Sequence, residues 1–480
     1  MSSALLALGS TPKTAIPGDT ASLTGVRFLA ALTIVLGHSY APLGEITMIG
    51  MPLFFTLSGF IIHYVYSDTF AAGWRSATVK FCSARFSRIY PLYFIFLLVA
   101  VVTTPMGSVF HHSGDMRLIL AYLFACYTWV PLSVDGMSTT NWYYSIAWSV
   151  PTEIFFYVSY AVFFYRIFRI RNAKICFVSL VVFCILVYAL FYILFLTRDI
   201  WEAVALHHFG GFVPRTTDFS NSLYRWFLYS SPYGRIFEFV GGCLTCQLFL
   251  LIKEKRSLQG RLNFELLTWT PCVLIVVIVV AYYHIAPYQH WLDLGDHRFL
   301  SFFVSLHMNF LLAPLCYMLI FCLAYSRSTL SRALSSGAVV LLGEISYSTY
   351  LGHPLAQSFV LNSALGYLPH WSTVAQLLVI YLFSWMFYVA LEVPCKVGLR
   401  HFFAMKPARA LHDVLGPAGA WATAIVAIAV AVAVALSFES LVRGRTSRAE
   451  ATAPTALAEL PVLQPVDLLP ARGRHRRARG

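Results

Sequence analysis

The run TGVRFLAALTIVLGHSYAP, residues 24–42, decides the class of the fold. It is long and apolar enough to cross a hydrocarbon layer as one helix, which takes about 20 residues. Arg27 and His38 interrupt its apolar character. Comparable runs follow at 47–66, 88–105, 146–166, 175–196, 236–252, 266–285, 301–325, 337–358 and 373–395, with no polar domain between them. An eleventh, at 418–437, is rich in Ala and Val and reads either as a further span or as a segment lying on the inner membrane surface. The stretch 118–131 is apolar but short, and reads as re-entrant or interfacial. The expected architecture is all-α: a polytopic transmembrane helix bundle of about ten core spans plus a possible eleventh near the C-terminus. Composition agrees. Only 11% of the 480 residues are charged, against about 25% in an average soluble domain. That leaves too little polar surface to coat a water-soluble globule of this size.

The chain then divides into an N-terminal cytoplasmic segment (1–23), a transmembrane domain (24–400), a linker with the possible extra helix (401–437) and a basic tail (438–480). The first segment lacks the basic start and sustained apolar core of a cleaved signal, so the first span itself is the expected insertion signal. The tail is dominated by Ala, Pro and Arg and ends in RGRHRRARG, a composition that cannot bury a core and reads as disordered. With the N-terminus inside, the inner loops hold eighteen Lys and Arg and the outer loops six, the asymmetry that the positive-inside rule describes. The net charge of +13 is therefore spread over short loops facing a bilayer, and does not form a nucleic-acid surface. The ten cysteines fall mostly inside apolar runs, where a thiol packs as a small hydrophobe. Cys243 and Cys246 form a CxxC without a second ligand pair at zinc spacing, so no metal site is expected.

Ionisable groups inside spans are costly and mark functional sites. Arg27 and His38 are eleven residues apart, which sets them within about 20° of one helical face and roughly 16 Å apart along the axis. Sharing a face with a buried arginine makes His38 a candidate for chemistry rather than packing. The second span contains GMPLFFTLSGFIIHYVY, residues 50–66. Running the opposite way, it is expected to carry Ser58 to the depth of His38. There, Ser58-Gly59 reads equally as a step for close helix approach or as a direct participant, and His63, one turn deeper, reads as structural. Arg85 and Arg88, in RFSRIYPLYF (85–94), share a face at i, i+3. Together with Arg27 they make a guanidinium cluster suited to phosphate, although positive-inside anchoring alone also accounts for them. Glu153, in AWSVPTEIFFYVSY (147–160), is expected at the opposite mouth. It would orient a hydroxyl acceptor or an imidazole, the plainer alternative being an anion at a helix start. The ninth span, LLGEISYSTYLGHP (341–354), adds Glu344 and His353, while Glu238 and Glu392 border spans and read as helix-end partners.

These residues resemble the membrane acyltransferase-3 family, which includes bacterial surface-polysaccharide O-acetyltransferases and nodulation-factor acetyltransferases. Its signature of arginine, ten residues, then histidine is matched by Arg27 and His38, and its aromatic-LSGF segment by Phe54 to Phe60. Its arginine-pair-IYPLY pattern is matched at Arg85, Arg88, Ile89, Tyr90 and Pro91. Its tryptophan-serine, glutamate, phenylalanine-tyrosine pattern is matched at Trp148, Ser149, Glu153, Phe156 and Tyr157. The late ISYS stretch is matched from Gly343 to Pro354, and the final LExP from Leu391 to Pro394.

The resemblance implies a bacterial inner-membrane O-acyltransferase, in the first place an O-acetyltransferase. It implies a cytosolic acyl-coenzyme A donor, acetyl-coenzyme A first, used as a co-substrate with no permanently bound cofactor. The implied acceptor is a hydroxyl of a cell-surface or exported polysaccharide or oligosaccharide, free or lipid-linked. On this reading His38 and Glu153 are catalytic, Arg27, Arg85 and Arg88 hold the donor, and Ser58 and His353 meet the substrate. His38 acts as a general base or accepts the acyl group covalently, and the sequence leaves both open. A small-molecule acyl acceptor is a competing reading, as is a transporter of a solute or lipid-linked sugar. No fixed-period repeat or pair of matching broken helices supports transport.

Overall fold

The computed structural model describes residues 20–103, 116–134, 136–141, 144–209, 211–253, 262–285, 298–361 and 372–404. The expected tail, the 418–437 segment and nearly all of the N-terminal segment and the linker lie outside them. Helix α1 (Thr20–Ser39) returns through a 3-10 turn (Ala41–Ile46) into α2 (Thr47–Ala72), and α3 (Trp74–Thr103) follows after Gly73. Helix α4 (Met116–Leu123) and a two-residue hairpin, β1 (Ser133–Val134) and β2 (Met137–Ser138), lead to α5 (Ser149–Val162). The middle of the chain is α6 (Ala173–Leu196), α7 (Arg198–His208), α8 (Pro232–Lys253) and α9 (Phe264–Ile285). Helices α10 (Arg298–His307), α11 (Ala313–Tyr325), α12 (Thr329–Leu334), α13 (Gly337–Glu344), α14 (Ser346–Leu361), α15 (Ser372–Phe387) and α16 (Val393–Ala404) complete it.

The chain is a helical membrane protein. Among the described residues seven helical stretches are long and apolar enough to cross a bilayer: Thr20–Ser39, Pro42–Ala72, Trp74–Val101, Ala173–Leu196, Leu223–Lys253, Phe264–His284 and Thr373–Leu399. Three expected spans take other forms. The fourth contains a helix of 14 residues, α5, flanked by 3-10 turns at Ser145–Trp148 and Phe164–Arg169. The eighth is broken and bent by 82° between α10 and α11. At that break the Asn309 side-chain amide donates to the Leu228 carbonyl, while its backbone N–H donates to the Leu306 carbonyl. Pro314 then sits in the first turn of α11, where its missing N–H costs no hydrogen bond. The ninth is divided at Ile345 into α13 and α14.

Burial sorts the helices by solvent. The apolar stretches of α2 and of Leu223–Lys253 are 67% buried within the protein, those of α6 and α9 only 11% and 22%. The first pair is therefore the centre of the bundle. The second pair shows Ile, Leu, Phe and Val side chains outward, which costs nothing against lipid tails as apolar as leucine. At the centre, a Cβ on Gly59 would overlap the Phe239 carbonyl, and one on Gly242 the Thr56 carbonyl. These glycines let the α2 and α8 backbones touch, the small-residue packing that replaces the hydrophobic effect in membranes. Phe156 of α5 packs edge-on to Phe55 at 5.0 Å and stacks with Phe239 at 5.2 Å between ring centres. Those contacts seat α5 against α2 and α8, and so bring Glu153 to Ser58.

Candidate active site

The polar interior has two ends, joined by α1. At one end His38 is the penultimate residue of α1 and is exposed. Its Nδ1 lies 2.9 Å from Nε2 of His353, the rings being nearly coplanar. His353 is fully buried on α14, with its own Nδ1 2.8 Å from the Tyr350 carbonyl. A carbonyl can only accept, so His353 Nδ1 carries the proton and its Nε2, in the neutral ring, is the acceptor. His38 must then donate from Nδ1, which leaves the lone pair on His38 Nε2. The tautomers of both rings follow from one backbone carbonyl. Next to them, Gln357 Nε2 donates to Ser39 Oγ at 2.7 Å, tying the end of α1 to α14.

At the other end, roughly 16 Å along the same face for eleven residues, Arg27 lies in the field of Arg88, Glu392, Glu153 and Tyr157. The Arg85 guanidinium faces the rings of Tyr66, Tyr157 and Phe81 at 5.1, 5.7 and 5.8 Å, and its buried Nε has no hydrogen-bond partner. Glu153 Oε1 accepts from Ser58 Oγ at 2.9 Å and from the Tyr157 hydroxyl. Glu392 Oε2 accepts from Ser348 Oγ at 2.7 Å, in the field of Arg88, Arg27 and Lys396. Four cationic side chains, Arg27, Arg85, Arg88 and Lys396, thus face two carboxylates, and the cluster is net positive. The Tyr347 hydroxyl, which donates to the Ile89 carbonyl at 2.8 Å, lies in the fields of Glu153, Glu392 and Tyr350 and stands between the two ends.

The predicted residues therefore separate into two groups. His38 meets His353. Arg27, Arg85, Arg88, Glu153 and Ser58 gather at the other end, so Glu153 does not reach the imidazole. The helix register explains Ser58. Gly37 faces Thr47 and Gly50 faces Ala30 and Ile34, so α1 and α2 run antiparallel with His38 opposite the very start of α2. Ser58, eight residues beyond Gly50, falls near the level of Arg27 rather than of His38. Gly59 takes the packing role and the Ser58 hydroxyl faces Glu153. The residue that sequence reasoning underrated is Glu392, which sits in a π-helical turn (Tyr388–Glu392) and is buried among the cations. The LExP motif was the signal for it.

The profile of the acyltransferase-3 family, described as an acyltransferase domain, matches residues 20–390, a stretch that contains both ends of this interior apart from Glu392 and Lys396.

The chain belongs to the acyltransferase-3 family.

Over 171 residues, 31% of this chain and 40% of the relative, it is also 29% identical to "Acyltransferase MdmB" of Streptomyces mycarofaciens. The match spans less than half the length of that curated relative. No solved structure matches. Other polar residues singled out in the sequence of the acyltransferase-3 domain have partners of their own. His63 is buried between the Tyr160 hydroxyl at 3.1 Å and Gln247 Oε1 at 2.9 Å. Cys243 and Cys246 are both free and buried, the Cys243 thiol donating to the Gly59 carbonyl, and no group of metal-ligating side chains forms among the described residues. Glu344 is exposed, near the Tyr388 hydroxyl. Outside the spans, Arg215 is held by Glu202 and Asp199. Burial opposes its charge, the two carboxylates outweigh that, and its pKa lies above the ordinary arginine value.

Proposed function

We propose that this protein transfers an acyl group, in the first place acetyl, from cytosolic acyl-coenzyme A to a hydroxyl of a cell-surface or exported carbohydrate. The setting we propose is a bacterial inner membrane with the N-terminus inside. Counting α5, the α10–α11 pair and the α13–α14 pair as crossings beside the seven long stretches would make ten spans. The observation that carries the chemistry is the lone pair left on His38 Nε2 by the relay from the Tyr350 carbonyl through His353. In direct transfer that nitrogen takes the proton of the acceptor hydroxyl as its oxygen attacks the thioester carbonyl. The carbon–oxygen bond forms, the carbon–sulfur bond breaks, and the departing thiolate takes up the proton from the imidazolium. The same nitrogen is equally placed to attack the thioester itself and carry the acyl group to the acceptor. His353 supports either route by fixing the ring and its tautomer, as the orienting member of a catalytic triad does. The cationic cluster matches the phosphates of coenzyme A, since arginines bind phosphate with paired, charge-assisted hydrogen bonds.

The test uses membrane vesicles carrying the full chain, acetyl-coenzyme A labelled in the acetyl carbon, and mass spectrometry of surface glycans from cells with and without the gene. Label appearing in a glycan ester is the expected result. Label recovered only in a small-molecule ester would replace the carbohydrate acceptor. Solute flux that needs no acyl-coenzyme A, with no ester formed, would replace the enzyme with a transporter.

A further inference from the structure

Three arginines between residues 215 and 235 offer a comparison. Arg215 is paired with Glu202 and Asp199. Arg235 is buried, with Nη1 2.8 Å from Glu238 Oε1 and Nε 2.9 Å from the Tyr229 carbonyl. Arg225 lies between them in sequence, half-buried, and no carboxylate is within ion-pair distance of it among the described residues. Asp218 is the carboxylate in whose field it lies. Both Asp218 oxygens are engaged elsewhere, one by the Ser220 amide at 2.9 Å and the other by Asn221 Nδ2 at 2.8 Å. The Arg225 guanidinium instead rests on the Tyr229 ring, 4.6 Å from its centre. A half-buried guanidinium without a counter-charge is costly in a membrane protein, and marks a place where a ligand supplies the charge.

The surroundings indicate where that ligand would sit. The Tyr229 ring packs on Trp148 at 4.7 Å between centres. Ser149, the next residue, donates to the Tyr350 hydroxyl at 2.8 Å, and it is the Tyr350 carbonyl that fixes the His353 tautomer. Arg225 is thus connected to the His38–His353 pair through an unbroken chain of packed rings and hydrogen bonds. An uncompensated arginine at the end of that chain supplies what an acidic acceptor requires, a charge to pair with.

We propose that Arg225 binds an anionic group on the acyl acceptor, which makes the acceptor an acidic carbohydrate: one carrying a carboxylate, or one linked through phosphate. This rests on the carbohydrate acceptor proposed above. Arg225 is then a specificity residue that touches substrate, whereas Trp148 and Tyr350 are positioning residues.

The purified full chain in lipid nanodiscs tests this with three probes: a glucuronic-acid-containing oligosaccharide, the same oligosaccharide with its carboxyl groups reduced to alcohols, and a polyprenyl-pyrophosphate disaccharide. Direct binding and acetyl transfer are both measured. The wild type is expected to bind one of the two anionic probes on the order of tenfold more tightly than the reduced one, the size of one charge-assisted contact. Which anionic probe it prefers tells a carboxylate from a phosphate linkage. Arg225→Gln should erase that preference through KM for the acceptor, with the KM for acetyl-coenzyme A unchanged, and Arg225→Lys should keep part of it. Equal affinity for all three probes overturns the proposal, as does a preference that survives in Arg225→Gln while that variant melts at the wild-type temperature. Transfer without preference sinks this inference alone. A preference that depends on Arg225 without any transfer sinks the acyltransfer reading and leaves the anion site standing.

Discussion

The two ends of α1 solve opposite electrostatic problems with the same helix. At the His38 end two imidazoles, one exposed and one buried, share a hydrogen bond whose direction a single backbone carbonyl sets. At the other end three arginines and a lysine crowd round two carboxylates. A base needs an unprotonated nitrogen, so it must be kept away from nearby cations or be held by hydrogen bonds in the right tautomer. A phosphate site needs the reverse, charge that burial has not removed. Eleven residues of helix keep the two apart, and the arginine-to-histidine spacing in the sequence is the trace of that separation. The lesson is that the shared face, rather than mutual contact, is what links Arg27 to His38.

This division makes unequal predictions. The largest effect belongs to His38→Ala, which should lower acyl transfer by about 10²- to 10⁴-fold at unchanged expression and thermal stability. A residual rate near the wild type would break the histidine end of the comparison. Next, His353→Leu removes the acceptor for His38 Nδ1–H and should reduce kcat by about ten- to a hundredfold. His353→Gln, whose side-chain oxygen can still accept, should lose less, and equal losses for the two would argue for packing alone. Arg88→Ala should act at the arginine end only, raising KM for acetyl-coenzyme A on the order of tenfold with kcat nearly constant. The smallest effect is expected of Glu153→Gln. Ser58 and Tyr157 can still donate to the amide oxygen, so donor KM should move no more than about threefold, as for a screened pair, and kcat should hold. A collapse of kcat in that variant would return Glu153 to the imidazole.

Much of this was legible in the sequence. Repeated apolar runs specify a membrane bundle because nothing else satisfies so little polar surface, and the seven long stretches fall where those runs do. The separated ionisable residues were also visible, since charge inside a span is conspicuous. What was not legible depends on neighbours in space. The depth of Ser58 follows from how the 3-10 turn at Ala41–Ile46 sets the register of α2 on α1, and no local pattern encodes it. The shortness of α5 and the bend at Asn309 arise from 3-10 turns and a side chain that captures the Leu228 carbonyl, both tertiary choices. Glu392 looked like a helix-end anion because two of its cationic neighbours, Arg27 and Arg88, lie some 300 residues or more away in the chain, on α1 and α3.

The most direct test binds and turns over the same donor in two variants side by side: acetyl-coenzyme A affinity by equilibrium binding, and acetyl transfer, in His38→Ala and Arg27→Ala. The division of labour predicts that the histidine variant binds donor as the wild type does but transfers nothing measurable, while the arginine variant binds about tenfold more weakly and still transfers at saturating donor. Loss of donor binding in His38→Ala as deep as in Arg27→Ala, or transfer at the wild-type rate without the imidazole, would contradict it.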